Sequence, residues 1–305
     1  MSFSSRWVEP PPHVTEVPGG LARGFRAGGA AAGIKPSGGP DLGLLVSDEP
    51  DTVSAARFTR SSTPAPPVQL CRERCRLDAL RAVVVNAGNA NAATGRRGYE
   101  DAARMHGGGA MAAGVREDRV AICSTGVIGV PLPMDEVIRG IVLARDELAP
   151  DGDAGFWAAM ATTDAFEKRV TLDVALPSGS VRVSAQAKGA GMLQPDFATM
   201  LCFVQTDAVL QAETADLLLG VCVKRSFDRI TVDGQLSTND TVLLMASGAS
   251  GVVVEPESED ELRLGHRRAA VLDDDGAPVE LPDVRERLEQ GPDVVHVVYS
   301  ALMRT

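Results

Sequence analysis

Apolar positions along the chain fall into short runs of strand length and longer stretches with helical spacing, and the two kinds alternate irregularly. The runs GLLVSD (43–48) and ARFTR (56–60) predict two strands about a turn at Glu49-Pro50-Asp51. RAVVVNAG (81–88) and RVAICSTGVIG (119–129) are almost continuously apolar, as buried strands are, and each runs into a Gly-punctuated turn. EKRVTLDVAL (167–176) and SVRVSAQAKG (180–189) alternate on either side of a Pro-Ser-Gly turn, which predicts a hairpin. Further strands are predicted over 198–208, 229–234 and 241–248. Helical spacing predicts helices from Pro67 to near Leu80, over 101–113 despite Gly107 to Gly109, over 134–148, and over 211–222. Residues 1–40 read as an irregular lead-in with one short strand near 24–26. Hairpins mixed with helices predict a layered α/β (α+β) architecture rather than strict βαβ alternation.

Composition narrows the picture. Apolar residues make up 44% of the 305 residues but aromatics only 4%, so the core must be built from Val, Leu, Ile, Ala and Met. The formal net charge of -11 argues against a nucleic-acid partner, which needs a basic footprint. The one basic run, Arg72 to Arg76, is interrupted by Glu73 and reads as a solvated face. No basic-then-apolar leader and no apolar stretch of about 20 residues is visible, so the expectation is a cytoplasmic protein without membrane contact. The five cysteines include no CxxC pair, and Cys71 and Cys75 would share a helix face without a second pair of metal ligands. Free thiols, no metal and no cofactor are expected. Beyond about residue 249 the chain turns strongly charged and loses its strand pattern.

Candidate chemistry concentrates in two segments. The histidines at 13, 106, 266 and 296 read as loop or tail residues, and none accompanies a G-x-S-x-G elbow. VVVNAGNANAATG (83–95) follows a strand but does not spell a dinucleotide loop, so it reads as a turn needing small residues. KGAGMLQPDFATMLCF (188–203) joins a lysine, a Gly-Ala-Gly turn and a threonine opening an apolar strand. If the peptide bond before Thr199 breaks, that residue carries a hydroxyl nucleophile and its own α-amine. An α-amine has a reference pKa of about 7.7–8.0 and can serve as the base, with no histidine needed. In CSTGVIG (123–129) a hydroxyl and a backbone N–H at a strand end can converge on a developing oxyanion.

Taken in order, GIK (33–35), ARFTR, APPV (65–68), RAVVVNAGNANAATG, CSTGVIGVPLPM, ATTD (161–164), KGAGMLQPDFATML, TDA (206–208) and SFDRITVDGQLSTNDTVLLMASG (226–248) resemble the bifunctional ornithine acetyltransferase/N-acetylglutamate synthase family. The likeness runs from about residue 24 to 248. It implies an αββα-type layered fold with a further C-terminal domain, and self-cleavage between Ala198 and Thr199 into fragments 1–198 and 199–305. Thr199 then takes the acetyl group of N-acetylornithine and passes it to glutamate, and some members also draw acetyl from acetyl-CoA. By the same resemblance, Thr125 and Gly126 match the oxyanion pair, and Lys188 with Thr162 or Thr163 matches substrate-binding positions. The assembly implied is a dimer of two-fragment units. Asp196 and Phe197 stand where the family commonly has Asn and Met. Asp275 in DDDGAP (273–278) only echoes a substrate-binding glutamate, and the tail is expected to be truncated or divergent, leaving a weak or inactive catalyst. Alternatives are a related amidohydrolase, transfer to another amine, or an inactive remnant.

Overall fold

The computed structural model describes residues 12–190, 200–229 and 236–254. Ala198, Thr199, Asp275 and the strand expected over 229–234 (Arg229 apart) lie outside the described residues. Ten strands are described: β1 (Val14–Val17), β2 (Phe25–Ala30), β3 (Leu42–Ser47), β4 (Val53–Phe58), β5 (Ala82–Asn89), β6 (Val120–Val127), β7 (Arg169–Leu176), β8 (Gly179–Lys188), β9 (Leu201–Thr206) and β10 (Thr241–Ala246). Five α-helices accompany them: α1 (Pro66–Arg74), α2 (Gly95–Ala113), α3 (Met134–Asp146), α4 (Asp153–Met160) and α5 (Ala212–Arg225).

The strands form two sheets, one of six in the order β1-β7-β8-β9-β10-β4 and one of four in the order β2-β3-β5-β6. Most pairs are antiparallel, and the predicted hairpin is β7–β8, in register from Arg169↔Gln186 to Leu176↔Gly179. Two pairs are parallel, β5 with β6 and β9 with β10. Period-two alternation divides the six-stranded sheet between two cores. Val170, Leu172, Val174, Val183 and Cys202 pack with Leu219 and Val223 of α5, whereas Leu201, Phe203, Leu243 and Met245 pack with the four-stranded sheet. On the far side of that second sheet lie α2 and α3: a Cβ on Gly109 would meet Val84, and one on Gly140 would meet Leu42. The layers therefore run α5, six strands, four strands, α2 with α3, the expected αββα order.

Several boundaries depart from the sequence reading. Helix α1 stops at Arg74 rather than Leu80, because residues after Cys75 are drawn out to bond elsewhere: Arg76 N–H donates to Asp118 and Leu80 N–H to the Ser54 hydroxyl. Helix α2 starts at Gly95, six residues before the apolar period begins, and Arg96 pairs with Glu100 one turn on. Strand β1 and the short helix α4 were not anticipated. In α4, Phe156, Ala159 and Met160 are buried, and the Phe156 ring meets Phe203 edge-on with centroids 5.4 Å apart. His106 is not a loop residue: it sits in α2 at 1% exposure, with Nε2 2.9 Å from the Val120 carbonyl. The cysteines are free thiols, and Arg72, Arg74 and Arg76 are solvated as expected. Among the described residues no helix is long and apolar enough to cross a membrane.

Candidate active site

Strand ends bring the site together. Register places Lys188, Leu201 and Thr241 side by side at one end of β8, β9 and β10. The loop entering β10 reaches across to the other sheet, where the Asn239 side-chain amide donates to the Ala90 carbonyl just beyond β5, at 3.1 Å. Both sheets thus close at the same edge, and that edge carries Lys188 and Thr125.

Thr125 lies near the end of β6, 5% exposed, and Lys188 is 3% exposed. Lys188 Nζ donates to Thr125 Oγ1 at 3.0 Å. The threonine hydrogen is left free to donate onward, and an ammonium on its oxygen makes it a stronger donor. Gly126 follows at φ 131°, paired with Gly88 across the parallel strands. A Cβ there would sit 2.3 Å from the Gly88 carbonyl carbon, so only glycine lets the two backbones approach this closely.

A set of asparagines fixes this turn. The Ser124 hydroxyl donates to Asn86 Oδ1 at 2.6 Å, Asn86 donates to the Asn89 carbonyl, and Asn89 donates to the carbonyls of Val130 and Pro131. Asn91, at φ 45°, bonds through Nδ2 to Gly98 and through Oδ1 to the Thr94 hydroxyl. The segment 83–95, read from sequence as a small-residue turn, is therefore also a polar brace behind Thr125 and Gly126.

Charge around Lys188 is dense for a buried site. Burial pulls its ammonium below the usual lysine range; Asp164 opposes that, Lys168 adds to it, Asp240 opposes and Lys35 adds. Asp164 accepts from Lys168 Nζ at 2.6 Å, from the Gly189 N–H at 2.8 Å and from the Thr162 N–H at 3.2 Å. Burial disfavours its ionised form, but the Gly189 N–H, Lys168 and the Lys188 charge outweigh that and hold its carboxyl below the ordinary value. Lys168 also lies 4.2 Å over the Phe166 ring. Thr162 and Thr163 are exposed on the loop that Asp164 anchors. Lys35 is tethered to the carbonyls of Pro40 and Ala158, and its loop is folded around Asp41, whose carboxylate accepts four successive N–H groups from Ala32 to Lys35.

Thr125, Gly126 and Lys188 are thus brought together, and Thr162 is tied to Lys188's neighbour Gly189 through Asp164. Thr163 makes no described contact with the cluster. Thr199 lies outside the described residues, but Met200, its neighbour in the chain, is buried at this edge, and its N–H donates to Asp240 at 2.9 Å. Sequence reasoning missed Asp164, Lys168, Asp240 and the asparagine brace; a buried charge in a loop has no periodic signature.

Comparison with known proteins identifies the family. The ArgJ family profile matches residues 26–273, past the end of the motif resemblance at 248. The arginine biosynthesis bifunctional protein ArgJ of Symbiobacterium thermophilum is 46% identical over 230 residues, covering 75% of this chain and 57% of that protein. The Thermus thermophilus protein of the same name is 47% identical over 234 residues, covering 76% and 59%. The chain thus spans somewhat under three-fifths of the length of these relatives. Among solved structures, ornithine acetyltransferase of Mycobacterium tuberculosis complexed with ornithine matches at TM-score 0.55 and 34% identity, over 62% of this chain and 100% of that one. The Bacillus halodurans ArgJ structure matches at 0.54 and 34%, over 62% and 98%. An aminopeptidase of Ochrobactrum anthropi with a variant Ntn-hydrolase fold shares the fold alone, at TM-score 0.50 and 11% identity. By its sequence and by its layered fold, this chain belongs to the ArgJ family.

Proposed function

We propose that the chain is a threonine-nucleophile acetyltransferase of arginine biosynthesis, which cleaves itself between Ala198 and Thr199 and moves acetyl from N-acetylornithine to glutamate. The observation that carries this reading is the buried Lys188–Thr125 contact at 3.0 Å, at the strand edge where Met200 enters β9. It supplies a polarised hydroxyl donor beside a constrained Gly126 amide, which is what a tetrahedral oxyanion requires.

Self-cleavage begins with Thr199 Oγ attacking the Ala198 carbonyl, which shifts the acyl group from nitrogen to oxygen. Water then hydrolyses the ester, leaving a carboxylate on residue 198 and a free α-amine on Thr199. In transfer, Thr199 Oγ attacks the acetyl carbonyl and its α-amine takes the proton. Thr125 O–H and Gly126 N–H donate to the resulting oxyanion. Collapse releases ornithine with the proton on its amine, and the glutamate amine then attacks the acetyl-threonine ester. Thr162 and Thr163 sit at the rim, where the charged end of a substrate arrives. Acetyl-CoA is a second acetyl source under the same chemistry.

The soluble assembly proposed is a cytoplasmic dimer of two-fragment units.

The test is intact-mass analysis of purified protein together with isotope-labelled acetyl transfer from N-acetylornithine to glutamate. Two fragments meeting at Ala198–Thr199, both lost in Thr199→Ala together with transfer, are expected. Acetyl transfer persisting in Thr199→Ala would remove Thr199 from the mechanism.

A further inference from the structure

Asp240 is a carboxylate at the site edge for which the proposed chemistry has no task. It sits one residue before β10 and is fully buried. Strands β9 and β10 are parallel and in register at Leu201↔Thr241, so Met200 and Asp240 are matched one step earlier. Their backbones and side chains interlock twice: Thr241 N–H donates to the Met200 carbonyl at 2.9 Å, and Met200 N–H donates to Asp240 Oδ1 at 2.9 Å. The loop that carries Asp240 is itself pinned. Its carbonyl accepts from Thr59 N–H, the Thr59 hydroxyl donates to Ser237, and Asn239 ties it to Ala90 on the other sheet.

The second oxygen, Oδ2, is buried and has no hydrogen-bond partner among the described residues. A bare carboxylate oxygen in such a place is expensive, so the group resists ionisation. Burial pushes its pKa up to about 8, against the Met200 N–H, the Ser237 hydroxyl and the charge of Lys188. Among the described residues, Lys188 acts on it from β8, and on Lys188 in turn act Asp164 and Lys168 from the loop before β7 and Lys35 from the loop after β2.

The bond that Oδ1 accepts belongs to the peptide joining Thr199 to Met200. That amide is one bond from the Thr199 carbonyl carbon and two from its Cα. We infer that Asp240 is a positioning residue: it clamps the Met200 N–H, just after the proposed nucleophile in the chain, at the strand edge that carries Lys188, and its second oxygen is the protonation site that couples this clamp to Lys188. The inference rests on Thr199 being the nucleophile. Either protonation state keeps Oδ1 as an acceptor. Loss of the proton adds a negative charge, which holds the Lys188 ammonium charged and so alters the donor on Thr125.

Two substitutions separate the clamp from the charge. Asp240→Asn keeps an acceptor oxygen but cannot ionise; Asp240→Ala removes both. Circular dichroism and unfolding midpoints first establish that each variant is folded. Self-cleavage is then timed by intact mass from pH 6 to 9.5. The alanine variant should cleave at least about 10-fold more slowly at every pH, as expected when a reacting group is loosened. The asparagine variant should stay within about threefold of the parent at pH 6 and lose the change in rate that the parent shows near pH 8. No free α-amine exists before cleavage, so that change cannot come from Thr199. A second readout does not depend on cleavage: hydrogen exchange of the Met200 amide, measured on a Thr199→Ala background. It should be slow with Asp240, slow in Asp240→Asn and at least about 10-fold faster in Asp240→Ala. If the parent never cleaves, the nucleophile reading fails, while the exchange experiment still decides whether the clamp exists. Equal Met200 exchange in all three, or an unchanged pH profile in Asp240→Asn, overturns the inference.

Discussion

Replacing Gly126 by alanine tests the architecture of the proposed oxyanion edge with a single methyl group. The added Cβ would lie 2.3 Å from the Gly88 carbonyl carbon and 2.5 Å from the Asn89 nitrogen, against an ordinary contact limit of 3.4 Å. Both obstacles are backbone atoms of β5, so no side chain can swing aside; β5 and β6 must part by about 1.1 Å at this point. The φ of 131° adds strain of its own. Backbone strain of this kind costs about 1–3 kcal/mol, and overpacking costs about 1–3 kcal/mol. Their sum, about 2–6 kcal/mol, lowers the unfolding midpoint by roughly 4–24 °C for a domain of this size. Displacing a reacting group by about 1 Å costs about 10²-fold in rate. Gly129→Ala is the control, because Gly129 has φ 82° but open space where its Cβ would go. Differential scanning calorimetry and a cleavage time course on both variants decide the matter. If Gly126→Ala melts and cleaves like Gly129→Ala, the close approach of the two strands is not what shapes this edge.

Three further outcomes are expected. Thr125→Ala should lower kcat about 10²–10³-fold with little change in KM; steady-state kinetics showing a change in KM alone would instead make Thr125 a binding residue. Asp164→Ala strands buried Lys168 and frees the Gly189 N–H, so urea unfolding should show a loss of about 3–5 kcal/mol, and a loss under about 1 kcal/mol contradicts the buried pair. The two carboxyls should give stability opposite pH slopes. Asp164 has a depressed folded pKa, so its stabilisation is complete above pH 4 and lost as pH falls through the lower folded value. Asp240 is raised to about 8, so the folded state holds an extra proton from about pH 4 to 8 and stability declines across that window as pH rises. Against pH, the unfolding free energy of Asp164→Asn should lose the fall below pH 4, and that of Asp240→Asn should lose the decline between about pH 4 and 8.

Strands that are buried on both faces were legible because continuous apolar runs such as Val83–Val85 and Ala121–Cys123 have few other uses. The β7–β8 hairpin was legible because alternation and a Gly turn coincide. Helix α4 escaped because eight residues give barely two turns, too few for a period to stand out. The start of α2 escaped because Gly95 and Gly98 read as breakers, whereas Gly98 is needed where a side chain would collide with Thr94 and Asn91. His106 was misread for a related reason: it lies amid glycines, and only the fold places it under the Val120 carbonyl. At the site, Thr125, Gly126 and Lys188 were named through family motifs rather than through any pattern of polarity. Asp164, Lys168 and Asp240 act through pairings 4 to 52 residues apart, among themselves and with Gly189, Lys188 and Met200, and single-sequence periodicity carries no trace of such pairings.

If the proposed cut is made, the strand order of the six-stranded sheet has a consequence for the nicked protein. Strands β9 and β10, from the C-terminal side of the scissile bond, lie between β8 and β4, both from the N-terminal side. A cut before Thr199 therefore leaves two polypeptides interleaved in one sheet, joined by the β8–β9 and the β10–β4 ladders. Size-exclusion chromatography should not part them without denaturant. Refolding, however, changes kinetic order. An uncut chain regains its sheet by a unimolecular process whose rate ignores dilution, whereas the nicked pair must first find each other. Below some concentration the nicked form should no longer recover, so maturation, once done, makes the folded state one that can be kept but not easily rebuilt.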